Sequence, residues 1–327
     1  MTPQDTMIVD SLAPALVEPV GYQEAVAGVA GVIKASSARV YRSDARLFAT
    51  WLREHDYQEL TRDALIAYHQ HLRTYKPNTA ARKWSVVRRI VEEQVYRGIL
   101  SINPAQGIKG YQKRESFKHI ALSDEEARKL LAQVDRTTKL GMRDYTMLRM
   151  LLRLGLRRSE CAKLIVSDMA MQQGHHTLLI RQSKEDKDRL LKIPVDLWRN
   201  VIDYLETCEC VVTPQIEDKR VYEHLVWQVG DEHPLFVQFD RGDHPTHKPI
   251  SDDVVYRTVK HYGKSAEIEK ITAHSMRASF ITLTLEARPD LLLQVQDAAG
   301  HADPRTTRNY HKRRQNFDKS AMDVLDI

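Results

Sequence analysis

The stretch Leu154-Gly155-Leu156-Arg157-Arg158-Ser159-Glu160 (LGLRRSE, residues 154–160) joins two helical patterns and shows what surrounds them. A strong apolar period runs from about Arg143 to Leu154, and another helix begins near Arg158. Two arginines therefore stand at a helix start, with Glu160 one turn beyond Arg157. Upstream, Ser123 followed by Glu126 forms a capping box for a helix through Leu131. Downstream, HTLLIRQ and RLLKIP flank the charged tip SKEDKD, which reads as a β-hairpin. Helices are expected at 195–206, 251–263, 274–287 and 290–300, and a short one near 303–313. The segment 207–250 reads as irregular, with one possible strand at Leu235–Gln238. This half is mainly helical with a small sheet.

The first half carries helical patterns only. Ser36-Ser37 are plausible caps for a helix bearing Val40, Tyr41, Asp44, Leu47, Phe48, Trp51 and Leu52, in which Asp44 is the one polar member of the stripe. Thr61 can cap a second helix with Leu65, Tyr68 and Leu72. Asn78 or Thr79 can cap a third, whose stripe is Val86, Val87, Ile90, Val91 and Val95 and which Gly98 stops. Residues 1–30 show no sustained period and read as a flexible acidic arm. Residues 109–118 (KGYQKRESFK) read as a basic linker, giving domains at 31–108 and 119–327.

The chain has 327 residues, 49 Lys plus Arg and 44 Asp plus Glu, for a net charge of +5. With 42% hydrophobic and 28% charged residues it is globular in composition, which excludes a largely disordered chain. The charge is uneven. Residues 1–30 carry −4, residues 31–118 carry 17 basic against 8 acidic residues, and the remainder is neutral. A basic domain beside a neutral one suits a grip on a polyanion, although a solvated, charge-rich helical surface has the same composition. The longest apolar run, Ala25–Ile33, is too short to span a bilayer, and no secretory signal is legible at the start. Three cysteines, Cys161, Cys208 and Cys210, make no disulfide framework. A soluble, cytoplasmic protein is expected. The Cys208-Glu209-Cys210 cluster lacks the paired ligand spacing of a zinc site, so no metal is expected.

Five scattered elements share a chemical theme: Arg157 and Glu160 in LGLRRSE, Lys184 at the hairpin tip, His274 and Arg277 in HSMR, His301 after Gly300, and Tyr310 at the end of TTRNY. Such a set suits metal-free attack on a phosphodiester. Guanidinium forks hold non-bridging oxygens and stabilise a pentacoordinate phosphorus. A tyrosine hydroxyl can be the nucleophile, and lysine or histidine can move the protons. Taken singly, each residue has an ordinary structural explanation as a cap partner, a core group or a solvated tip.

LGLRRSE, HSMR, AGH and TTRNY, in this order and spacing, resemble the tyrosine recombinase (phage integrase) family, whose frequent patterns are GLR-x-SE, a hairpin GKG-x-K-x-R, HxLR, LGH and TT-x-x-Y. The resemblance covers the second half, and the first half looks like the family's SAM-like helical core-binding domain. It implies that Tyr310 attacks DNA to give a 3′-phosphotyrosine, that Arg157 and Arg277 clamp the scissile phosphate, and that His274 assists deprotonation. It further implies that His301 hydrogen-bonds the phosphate, Lys184 protonates the departing 5′ oxygen, and Glu160 buttresses Arg157. The hairpin SKEDKDR departs from GKG, which leaves Lys187 as a rival to Lys184. Ala278 stands where histidine is common and Ala299 where leucine is common.

The fold expected is mainly α, a helical DNA-binding domain followed by a mixed α/β catalytic domain with a small antiparallel sheet. The partner expected is double-stranded DNA, with Arg82, Lys83, Arg88 and Arg89 of the third helix as contacts. By the resemblance, a homo-tetramer acts on two sites through a Holliday junction, without metal, ATP, other cofactor or small-molecule substrate. The tail residues Phe317, Ala321, Val324 and Leu325 form an apolar face that suits docking on a neighbour or on the same domain. A type IB topoisomerase or telomere resolvase would use similar chemistry, and a catalytically silent DNA-binding protein is the rival of another class.

Overall fold

In the computed structural model, residues 18–112, 121–181, 188–212 and 226–301, with Asp303 and Thr307, are described. The chain divides into two units between Ser116 and Phe117. The hairpin tip with Lys184 and Lys187, Tyr310, most of the basic linker and the apolar tail lie outside the described residues, as does the start of the acidic arm.

The first unit is built from α1 (Tyr22–Val32), α2 (Ala35–Glu54), α3 (Arg62–His71) and α4 (Pro77–Tyr96). Helix α1 corrects the expectation of a flexible arm through residue 30. Its Tyr22, Ala25, Val26 and Val29 recur at helical spacing and are buried. Two glycines diluted that period in the sequence, and the ends of the Glu93 and Arg97 side chains lie over Gly28. The Tyr22 hydroxyl donates to the Ala45 carbonyl at 2.6 Å, fastening α1 to α2.

Thr61 caps α3 as expected, its hydroxyl accepting from the Ala64 N–H. Helices α2 and α4 instead begin one or two residues before the expected serine, asparagine or threonine caps. Pro77 occupies the first position of α4, where its missing N–H is no loss. Most of the expected stripes of α2 and α4 form the core, with Phe48, Leu52, Val87, Ile90 and Val91 fully buried, whereas Val40 and Leu47 are exposed. The start of the expected linker is fastened to this unit: Tyr111 stacks on His69 with ring centroids 4.5 Å apart.

Asp44 explains a second difference. It is buried, and it is neutralised by Arg82 and by Lys83, whose ammonium lies 3.2 Å from its carboxylate. Lys83 is only 5% exposed, so it is an internal counter-ion and is corrected as a DNA contact. A lone carboxylate in an apolar stripe needs a cation in the same core, because leaving it unpaired is strongly unfavourable. Arg82 stays partly exposed while pairing with Asp44, and Arg88 and Arg89 are exposed.

The second unit has α5 (Asp124–Ala132), α6 (Lys139–Leu154) and α7 (Arg158–Ala162), followed by strands β1 (Met169–Gln172), β2 (His175–Ile180) and β3 (Arg189–Lys192). Then come α8 (Val195–Thr207), the short strands β4 (Val211–Val212), β5 (Val226–Trp227), β6 (Val237–Phe239) and β7 (Pro245–Pro249), and helices α9 (Asp252–Ser265), α10 (Ala273–Ala287) and α11 (Leu292–Ala299). The Ser123–Glu126 capping box is present. Helix α6 starts a turn earlier than expected because Thr138 caps it through the Gly141 N–H. It is the central rod, burying Met147, Leu148, Met150, Leu151 and Leu154 against α8 and α10.

The expected hairpin is β2–β3, and β1 adds an antiparallel third strand ahead of it. Its register sets Ile180 opposite Arg189, which fixes where the Arg189 side chain leaves the sheet. The segment expected to be irregular holds two further two-stranded pairs, β4–β5 and β6–β7. The fold is thus mostly helical with small antiparallel sheets. No helix among the described residues is long and apolar enough to cross a membrane.

Candidate DNA-cleavage site

Three chain segments far apart in sequence meet at one point. The first is the turn between α6 and α7. Gly155 ends α6 in the left-handed conformation (φ 61°), where a Cβ would clash with the Phe280 ring. Leu156 is then buried, and Arg157 leads into α7. Arg157 and its neighbour are told apart by geometry. Arg158 pairs outward with Asp252 at 2.8 Å, whereas Arg157 turns to Glu160 and to the Gly300 carbonyl, at 2.6 and 2.8 Å.

The second segment is α10, started by a reciprocal cap between Thr272 and Ser275. His274 is exposed in its first turn, and Arg277 follows one turn later on the same face. Arg277 is 1% exposed, and its guanidinium donates to the carbonyls of Gly155 (2.6 Å) and Ala299. A fully buried guanidinium is tolerated here because peptide oxygens hold it in place.

The third segment is the C-terminal end of α11. Gly300 is left-handed (φ 60°), and a Cβ on it would stand 3.3 Å from Arg189 and 3.5 Å from Arg157. Its missing side chain lets the backbone approach both guanidinium groups. His301 follows, with Nδ1 2.9 Å from the Thr307 hydroxyl. Ala278 and Ala299, the two departures from the family pattern, are both fully buried in one small cluster with Ile281, Leu285 and Val295. Their side chains fill packing positions, while the Ala299 carbonyl holds Arg277.

Arg189 joins this site, and the sequence reading gave it no role. Its guanidinium donates to both Glu160 oxygens, at 2.9 and 2.7 Å, and its Nε to the Ala298 carbonyl. The available signal was the final position of the hairpin pattern, occupied here by the last residue of SKEDKDR. Glu160 is therefore shared between two arginines and also accepts from the Arg157 backbone N–H at 2.7 Å. Burial opposes its charge, but the bonds and charges of Arg189 and Arg157 win and hold its pKa down to about 2.

The cluster is strongly positive. Arg157 and Arg189 share one carboxylate, Glu160, and Arg277 is held by backbone carbonyls. His301 registers that field: burial, then the charges of Arg277, Arg157, His274 and Arg189, push its pKa down to about 3. It is a neutral imidazole at physiological pH, able to donate from one nitrogen and accept at the other. A cationic cluster with a neutral histidine is suited to an anionic oxygen-rich group such as a phosphodiester.

The phage integrase family model matches residues 121–316, well over half of the chain. The chain belongs to the phage integrase family. Among its curated relatives is the tyrosine recombinase XerC of Proteus mirabilis, 28% identical over 237 residues, spanning 72% of this chain and 68% of that protein. Among solved structures, the XerH site-specific recombinase in a post-cleavage complex with palindromic difH substrate superposes with a TM-score of 0.66 at 20% identity, covering 88% of this chain and 78% of that one. Lambda integrase, solved as a tetramer bound to a Holliday junction, superposes with a TM-score of 0.63 at 13% identity, covering 88% and 75%. The protein is a site-specific recombinase of the tyrosine type, an enzyme of DNA recombination.

Of the expected site residues, Arg157, Glu160, His274, Arg277 and His301 converge, with Arg189 added. Lys184, Lys187 and Tyr310 lie outside the described residues.

Proposed function

We propose that this recombinase cleaves and rejoins duplex DNA through a covalent 3′-phosphotyrosine on Tyr310, passing through a Holliday junction and without a metal. The observation that carries this is the excess of guanidinium over carboxylate around a neutral, half-buried His301. In this reading Arg157 and Arg277 bind the non-bridging oxygens of the scissile phosphate and stabilise the charge of the pentacoordinate transition state. Their carbonyl partners, Gly155, Ala299 and Gly300, pre-set both forks before DNA arrives, so little reorganisation is left for the reaction step. These fixed cations supply the charge neutralisation that a metal gives in other phosphoryl-transfer sites.

His301 hydrogen-bonds the phosphate as a neutral donor, and His274 takes the tyrosine proton. Glu160 and Arg189 position Arg157. The Tyr310 oxygen bonds to phosphorus while the bond to the 5′ oxygen breaks, and Lys184 or Lys187 returns a proton to that leaving oxygen. Reversal with a 5′ hydroxyl from another strand completes exchange without an external energy source. The fold likeness to a recombinase solved as a tetramer on a junction supports a homo-tetramer on two sites. The enzyme would meet its DNA in the cytoplasm, in keeping with three cysteines that are all free thiols.

Covalent trapping tests the reading. Wild-type protein incubated in EDTA with sheared genomic DNA of its source should yield an SDS-resistant adduct whose attached peptide carries Tyr310, at a recurring DNA sequence. Tyr310→Phe should bind DNA and give no adduct; an undiminished adduct removes Tyr310 as nucleophile. Adducts at scattered sequences would instead support a topoisomerase-like activity.

A further inference from the structure

Cys210, His233 and His247 lie in a part of the second unit that the recombination chemistry does not use, between α8 and α9. Their spacing, 23 and 14 residues, matches no zinc-ligand motif, and the Cys208-Glu209-Cys210 cluster by itself argues against a metal. The fold supplies what the spacing does not: one donor atom from each of the three residues lies within 4.8 Å of the other two. We propose that Cys210, His233 and His247 form a binding site for one divalent transition metal of the zinc type, which clips together the segment between α8 and α9.

The geometry is close to that of a bound site. His233 Nε2 and His247 Nδ1 are 3.0 Å apart. Two imidazole nitrogens on one tetrahedral zinc, each at about 2.0–2.1 Å, stand roughly 3.3 Å from each other, and a thiolate sulfur at about 2.3 Å stands roughly 3.6 Å from each nitrogen. The two imidazole nitrogens need to part by only about 0.3 Å, and the sulfur, within 4.8 Å of both, needs to close by at most about 1.2 Å. A thiolate and two imidazoles make a borderline-soft donor set that selects zinc-like ions over magnesium or calcium.

One feature of the resting structure is otherwise unexplained. His247 adopts the left-handed conformation (φ 55°) in the middle of β7, which lacks glycine's freedom, beside a register irregularity in the β6–β7 pair. That distortion accompanies the contact between the two rings. Cys210 is fully buried and its backbone is held by the β4–β5 pairing region, where Gln228 N–H donates to its carbonyl.

The mechanical logic follows from the same segment. Its described strands are only two to five residues long, so a cross-link between the end of α8, the loop before β6 and strand β7 would fasten it. On binding, the Cys210 thiol releases its proton to solvent and the sulfur bonds to the metal, while both histidines enter neutral. Three protein donors leave a fourth position for a solvent molecule.

The test uses the full chain, stripped with EDTA and titrated with Co²⁺ as the optical probe, then with Zn²⁺. The wild type should bind one equivalent with a thiolate-to-cobalt charge-transfer band that Zn²⁺ abolishes, and its Tm should rise with metal. His247→Asn is the informative variant, since asparagine tolerates the left-handed backbone and the position is exposed. It should lose the band, bind at least about tenfold more weakly, and keep the metal-free Tm of the wild type. Absence of a thiolate band in the wild type at one equivalent, or an unchanged band and affinity in His247→Asn, would overturn the proposal.

Discussion

Replacing Glu160 by glutamine is the sharpest probe of the site, because the structure specifies what each atom of that carboxylate does. Oε1 accepts from Arg157 Nη1 and Arg189 Nη1, at 2.6 and 2.9 Å. Oε2 accepts from the Arg157 backbone N–H and from Arg189 Nη2, both at 2.7 Å. Glutamine has one acceptor oxygen. Whichever way the amide is turned, two of the four bonds are replaced by donor facing donor, and two guanidinium groups lose their shared counter-charge. The magnitude follows from the depressed pKa, which falls from the ordinary 4.5 to about 2. At 1.36 kcal/mol per unit, the folded environment favours the charged form by about 3 kcal/mol at pH 7. Breaking a buried pair by removing one member costs about 3–5 kcal/mol, which agrees.

The pH dependence has a definite sign. Because the folded pKa is depressed, the stabilisation is complete above the unfolded value and is lost as pH falls through the folded one. The gap between wild type and Glu160→Gln should therefore be constant from pH 7 to about 5.5, narrow below 4.5, and reach roughly half its size at pH 3. Urea titrations of the full chain, followed by far-UV circular dichroism through the transition of the second unit, measure it. A variant within about 0.5 kcal/mol of wild type at pH 7, or a gap of unchanged size at pH 3, would refute the role assigned to Glu160.

Three further outcomes are expected. Gly155→Ala should destabilise the second unit by at least about 1–3 kcal/mol, since it combines a left-handed backbone with a clash against Phe280; thermal unfolding checks it. The His301 ring should stay neutral from pH 8 to pH 5, because its pKa lies near 3, and NMR shifts of its ring protons that titrate near pH 6.5 would contradict the positive field of the site. Arg88→Glu with Arg89→Glu should weaken DNA binding and flatten its salt dependence, whereas Lys83→Met should act mainly on stability through Asp44; equal losses of salt slope in both would put Lys83 back at the interface.

The sequence alone determined the mainly helical architecture with its hairpin, and it singled out Arg157, Glu160, His274, Arg277 and His301, which the fold brings together. Those properties are local. Apolar spacing on α2, α4 and α6, caps at Thr61 and Ser123, and short ordered motifs such as LGLRRSE and HSMR are each legible within one or two helical turns. Helix α1 was obscured because Gly28 and Gly31 weaken its periodic signal. What only the tertiary structure decided concerns partners distant in the chain. Arg189 reaches Glu160 across 29 residues through a strand register, and Lys83 is drawn inward by Asp44 from another helix. Cys210 meets His233 and His247 from positions 23 and 37 residues away in the chain. A charge or ligand finds its counterpart by position in space, and a spacing pattern records that position only when both lie on one element.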